Sequence, residues 1–144
     1  MSKPSTQLWL SRLLIAIVTG WNLQCAAVFL IAPTGFAAGF ELDGVPGAAA
    51  VRGLAVLFVM WNVPYLVALW HPQRYTLALA LAVAMQFVGL AGESFILSTL
   101  PAEYAILRGS IWRFIWFDGA GLPFLLAAWM LVKGRNHGRD GQPG

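Results

Sequence analysis

The chain has 144 residues, of which 59% are hydrophobic and 10% charged, against about 25% charged in an ordinary soluble domain. That composition excludes a water-exposed globular surface, and with crossings of about 20 apolar residues the length leaves room for roughly four or five of them, so one compact bundle with no second domain is expected. A formal charge of +3 and a pI near 9.5 would suit nucleic acid, but the basic residues sit at the ends of apolar segments and in the C-terminal tail, which is the distribution of membrane topology.

The first apolar run predicts a helix over residues 10–32, closed by Pro33, whose ring disfavours helical geometry in the residue before it. It exceeds the roughly 7–15 residues of a signal-peptide core and carries Trp21, Asn22 and Gln24 in its middle, so it reads as a retained helix. Cys25, the single cysteine, lies inside it and has no intrachain disulfide partner. Residues 34–47, with Gly35, Gly39, Gly44, Pro46, Gly47, Glu41 and Asp43, read as a loop.

The second helix is predicted over residues 48–70 and stops at the basic turn His71-Pro72-Gln73-Arg74. A third covers residues 75–98, where alanines at 78, 80, 82 and 84 with Gly89 and Gly92 offer small surfaces for close helix approach. Strand-like alternation is excluded there, since an isolated strand cannot satisfy its backbone in lipid. A connection through Glu103, Tyr104 and Arg108 leads to a fourth helix over residues 111–132, and the polar, glycine-rich residues 133–144 read as a disordered basic tail.

The fold class is therefore an all-α membrane protein, a four-transmembrane-helix antiparallel bundle forming one domain over residues 1–132. Lys3, Arg12, Arg74, Lys133, Arg135 and Arg139 collect at one face and only Arg52, Arg108 and Arg113 at the other. By the retention of Lys and Arg on the inner side, both termini are expected in the cytoplasm and the protein in the cell's inner membrane. Trp9, Trp70, Tyr75 and Trp129 would form the inner aromatic belt, and Tyr104, Trp112 and Trp116 the outer one.

Ionisable groups inside a span cost about 2.5–3.5 kcal/mol at its centre on insertion scales, so each needs a partner or a role. Arg52, Glu93, Arg113 and Asp118 qualify. Counting along the expected helices puts Glu93 about 7 Å, Asp118 about 10 Å and the two arginines about 3 Å inside the outer ends. Two acids and two arginines at similar depth predict an ion-paired network, serving either as an interhelical clamp or as a polar pocket for an anion or a proton. Below it lies an uncharged layer of Asn22, Gln24, Asn62 and Gln86, with Trp21 and Trp61 at a depth where tryptophan serves no interfacial belt. Two uses compete for this layer. In one, an amide repairs the backbone bond removed by Pro64; in the other, Trp21, Trp61, Asn22, Asn62 and Gln86 line a cavity for a quinone, a lipid headgroup or another small ligand.

Neither His71 nor His137 has acid or cysteine partners at ligand spacing, and nucleophile motifs, phosphate loops and paired catalytic carboxylates do not occur. No metal site and no catalytic residue are assigned. With Arg12 opening the first helix, Gly20 within it, a glycine- and proline-rich outer loop, three more apolar helices and a basic tail, the chain resembles the DoxX-like small four-helix membrane proteins. The resemblance implies a redox accessory subunit coupled to quinone. The residues themselves favour a non-enzymatic membrane subunit, assembly factor or ligand-binding factor with a protein partner or a homo-oligomeric state. A small-solute or proton carrier is the third reading.

Overall fold

In the computed structural model residues 6–140 are described, with the side chains of residues 6–134. Lys3, Arg135, His137 and Arg139 therefore fall outside the described side chains, as do residues 141–144 outside the described backbone. The described residues contain six α-helices and no strand: α1 Thr6–Ile31, α2 Pro33–Ala37, α3 Gly44–Trp61, α4 Val63–Trp70, α5 Thr76–Thr99 and α6 Ala105–Asp140. Four segments are long and apolar enough to cross a membrane, namely Thr6–Ile31, Gly44–Trp70, Thr76–Thr99 and Ala105–Gly134. α3 and α4 together make the second crossing.

The break between α3 and α4 follows from Pro64, which has no N–H to give the carbonyl one turn back. Asn62 turns the chain there; its backbone N–H reaches the Phe58 and Val59 carbonyls at 3.1 and 3.2 Å, and its side-chain Nδ2 donates to the Phe58 carbonyl at 2.7 Å. The amide thus reinforces the turn before the break rather than replacing the bond that Pro64 removes.

Several boundaries differ from expectation: α1 begins at Thr6 where residue 10 was expected, α3 at Gly44 where residue 48 was expected, and three differences are larger. The segment expected as a loop over 34–47 begins with α2 and a 3-10 turn, Ala38–Phe40. It stays helical because Pro33 pre-sets the first helical φ and because Phe36 and Phe40 find Phe29 at ring separations of 4.8 and 6.1 Å. α6 starts at Ala105 instead of Ile111, with the Glu41 carboxylate accepting from the Leu107 N–H at 3.4 Å, a negative charge at a helix N-terminus. At its other end α6 continues through residues 133–140, which were expected as tail. Lys133 lies over the Trp129 ring one turn back, 5.3 Å from its centroid, a cation–π contact that holds the first residue past the expected helix end.

α1 packs against α3 and α6, and α5 against α4 and α6. The buried positions are rich in alanine, with Ala26, Ala55, Ala68, Ala82 and Ala128 at 2% exposure or less. In lipid, where apolar burial alone does not drive helices together, small residues let backbones approach and gain dispersion contacts. Two arginines tie helix ends across the bundle. Arg12 donates to the Trp70 carbonyl at the end of α4 at 2.6 Å, and Arg108 donates to the Leu97 and Leu100 carbonyls at the end of α5 at 3.1 and 2.6 Å. Both supply donors to terminal carbonyls that a helix cannot satisfy internally.

Candidate intramembrane relay and cleft

Gln86 of α5 and Asp118 of α6 lie equally far from the turn that joins their helices, about 20 Å along each. That equality places them side by side. Gln86 Nε2 donates to Asp118 Oδ1 at 2.8 Å, and Gln86 Oε1 accepts from the Tyr65 hydroxyl of α4 at 2.6 Å. Tyr65 in turn accepts from Trp61 Nε1 of α3 at 3.2 Å. Each group in the series Trp61, Tyr65, Gln86, Asp118 donates to the next, and the carboxylate is the terminal acceptor. The orientation of the Gln86 amide is fixed by this logic, since the flipped amide would set its oxygen against the carboxylate.

Two glycines make room for it. A Cβ on Gly121 of α6 would lie 2.7 Å from Gln86 Nε2, and a Cβ on Gly89 of α5 would collide with the Asp118 carboxylate. In the antiparallel register Gln86 stands opposite Gly121 and Gly89 opposite Asp118, so each helix offers a polar side chain and a notch three residues further on. Polar groups in hydrocarbon need partners at close range, and the notches bring them to hydrogen-bonding distance.

Glu93, two turns beyond Gln86 on α5, does not join this series. One of its carboxylate oxygens, Oε2, is buried without a hydrogen-bond partner, and the group lies within electrostatic reach of Asp118. It lines a cleft of about 680 Å³ between α3, α5 and α6 whose walls include Phe58, Met60, Trp61, Met85 and Phe114. That is the size of a small-molecule site. Trp61 therefore serves both structures: its ring walls the cleft while its N–H opens the relay.

The expected four-member charge network is not assembled among the described residues. Arg113 donates to Ser110 Oγ at 2.8 Å, Arg52 is exposed on α3, and Asp118 bonds to Gln86. The depth estimate for Asp118 fails because α6 begins at Ala105, which carries this residue to the middle of its span. The single midplane cavity is likewise divided. Trp61 lines the cleft, whereas Trp21 packs against Phe117 and Phe124 at 6.2 and 5.8 Å on another side of α6. Asn62 and Gln86 are buried inside the bundle, Asn22 is half-buried, and Gln24 is exposed on the outside of α1.

Tyr65, Ser110 and the notch glycines were not anticipated as site residues. Tyr65 carried a usable signal, because it lies one helical turn from Trp61 on the same face and too deep for an interfacial belt. Chemically, the relay orients dipoles. It does not conduct protons, since the indole N–H is donor only and a carboxamide does not pass a proton on. Within a low-dielectric bundle, successive donors polarise one another and stiffen the contact among three spans. No family model, curated protein or solved structure matches the chain.

Proposed function

We propose that this chain is a non-enzymatic, multi-pass subunit or ligand-binding factor of a cell's inner membrane. In this reading it holds a lipid-soluble molecule with a hydrogen-bonding head in the cleft between α3, α5 and α6. The observation that carries the reading is Glu93 Oε2, a buried acceptor without a partner at the wall of an otherwise apolar cleft. An unmade bond of this kind is costly in a protein interior, and a ligand hydroxyl or amine donating to it would recover that cost. Met60 and Met85, flexible and polarizable, suit an apolar body of variable shape.

Both termini are assigned to the cytoplasm because Arg12, Arg74 and Lys133 lie at the terminal end of the bundle. A protein partner or a second copy would cover Arg52 and Gln24, which the isolated chain leaves exposed on its spans.

Service to a quinone-linked oxidoreductase is the second reading, favoured by the same acceptor, since a quinol hydroxyl is a donor on an apolar body. Binding of a short-chain quinol to the purified chain in nanodiscs tests both. Saturable binding weakened by Glu93→Leu and by Trp61→Ala is expected. Affinity unchanged in both variants would remove the cleft as the site, and a neutral lipid-soluble alcohol binding as well as the quinol would favour the first reading over the second.

A further inference from the structure

A second hollow lies at the other side of α6, at the end of the bundle covered by α2 and its 3-10 turn. It encloses about 230 Å³ and is walled by Phe29, Phe36, Phe40 and Phe114, with Cys25 and Arg113 also lining it. The phenylalanines hold each other in place: Phe29 meets Phe114 edge to face at 6.3 Å, and Phe40 stacks on Phe114 at 6.1 Å.

Arg113 is tied at this hollow by a latch of three residues that joins α6 to the 3-10 turn. Its Nη2 donates to Ser110 Oγ at 2.8 Å, and Ser110 Oγ donates to the Gly39 carbonyl at 2.5 Å. Ser110 is 3% exposed, and a Cβ on Gly39 would come within 3.0 Å of its hydroxyl, so the approach depends on glycine there. Arg113 is itself exposed, and the latch uses one of its five guanidinium donors, so the rest of the fork that matches an oxyanion stays available beside the aromatic slot.

The chemistry of the walls selects the ligand. A dianion would call for a second cation, and among the described residues Arg113 is the only basic one lining the hollow. A cationic guest, which aromatic walls alone would accept, is repelled by the guanidinium. We infer that this hollow binds a molecule carrying a single oxyanion on a compact apolar body, held by Arg113 and enclosed by the phenylalanines. A small carboxylate and the headgroup of an anionic lipid share that chemistry.

Benzoate is the probe and benzamide its neutral isostere, applied to the full chain in nanodiscs of neutral phosphatidylcholine. Labelled benzoate is expected to bind saturably, benzamide about tenfold or more weaker, and Arg113→Gln to lose the same factor, the worth of one charge-assisted pair. Cys25 locates the site: its alkylation by N-ethylmaleimide, followed by intact mass, should slow on adding benzoate and stay unchanged on adding benzamide. If an anionic lipid is the natural occupant, nanodiscs containing phosphatidylglycerol will protect Cys25 without benzoate, and benzoate binding will weaken there by competition. Absence of saturable benzoate binding in neutral lipid together with no protection by phosphatidylglycerol overturns the inference. Equal binding of benzoate and benzamide does so too, and that comparison needs no variant, so it decides the matter even where Arg113→Gln fails to fold.

Discussion

Gln86 is the residue whose loss should be felt furthest, because it is at once acceptor for Tyr65 and donor to Asp118. Gln86→Leu keeps the side-chain volume and strands both neighbours, and a buried group left unpaired costs about 1–3 kcal/mol. Tyr65→Phe strands the Trp61 N–H and Gln86 Oε1 but leaves the bond to the Asp118 carboxylate in place, and should cost less. The double variant should fall short of the sum of the two by about 0.5–1.5 kcal/mol, a coupling that unfolding measurements in mild detergent can resolve. Strict additivity would mean that the relay is not formed. Asp118→Ala should likewise destabilise more than Trp112→Ala, since Trp112 is 50% exposed and Asp118 is the relay's terminal acceptor. The glycines give a sharper contrast. Gly89→Ala and Gly121→Ala place a methyl against Asp118 and Gln86, whereas Gly20→Ala and Gly92→Ala place one where nothing lies within 4 Å. The first pair should lower the unfolding temperature; the second should leave it unchanged or stabilise by up to about 1 kcal/mol through helix propensity. Reversal of that order would show that the notches are not occupied as described.

At the scale of elements, helix ends are held mainly from neighbouring helices, and this is what the sequence concealed. Arg108 reads as one outer basic residue among three, yet it closes the last turn of α5 through two carbonyls. Arg108→Ala should fray that turn, seen as faster amide exchange at Leu97–Leu100 with the middle of α5 unaffected; Arg108→Lys, with no planar fork, should recover only part of the protection. The spans themselves were legible, because about 20 apolar residues bounded by Pro33, Pro72 and Pro101 admit little else. Pro64 marked a lost backbone bond, but the second helix was expected unbroken over residues 48–70, and the break at Asn62 was not foreseen. Helix starts were not legible either. α6 gains its first turn from Glu41, a residue 66 positions away along the chain, and that kind of cap leaves no local mark. Glu41 also adopts a left-handed φ of 56°, a conformation that disfavours non-glycine side chains. Glu41→Gly should therefore ease the turn while unpinning α6, so the first turn of α6 should exchange faster even where global stability holds.

Across the whole molecule, depth was readable from sequence and azimuth was not. Counting residues placed acids and arginines at comparable heights, but pairing also requires that they face the same seam. Arg113 faces the hollow beside α2 while Glu93 faces the cleft on the other flank of Phe114. Of the middle-layer amides, Gln86 has partners on both sides, Asn62 bonds through its Nδ2 while its Oδ1 is buried without one, and Gln24 is exposed on α1. The consequence is an uneven bundle. α5 and α6 are interlocked by reciprocal side chains and notches, with Tyr65 of α4 bonded into the same seam. The α2 end instead rests on aromatic packing and the Arg113–Ser110 latch. Local opening follows the density of buried contacts and buried hydrogen bonds. Amides around Gln86–Leu90 and Asp118–Leu122 should therefore be the last to exchange, and those of residues 38–47 among the first. Gln86→Leu should bring the two regions closer together by accelerating the slow one alone. Uniform acceleration across all spans would mean that the bundle opens as one cooperative unit, with the relay contributing to global stability and not to a local seam.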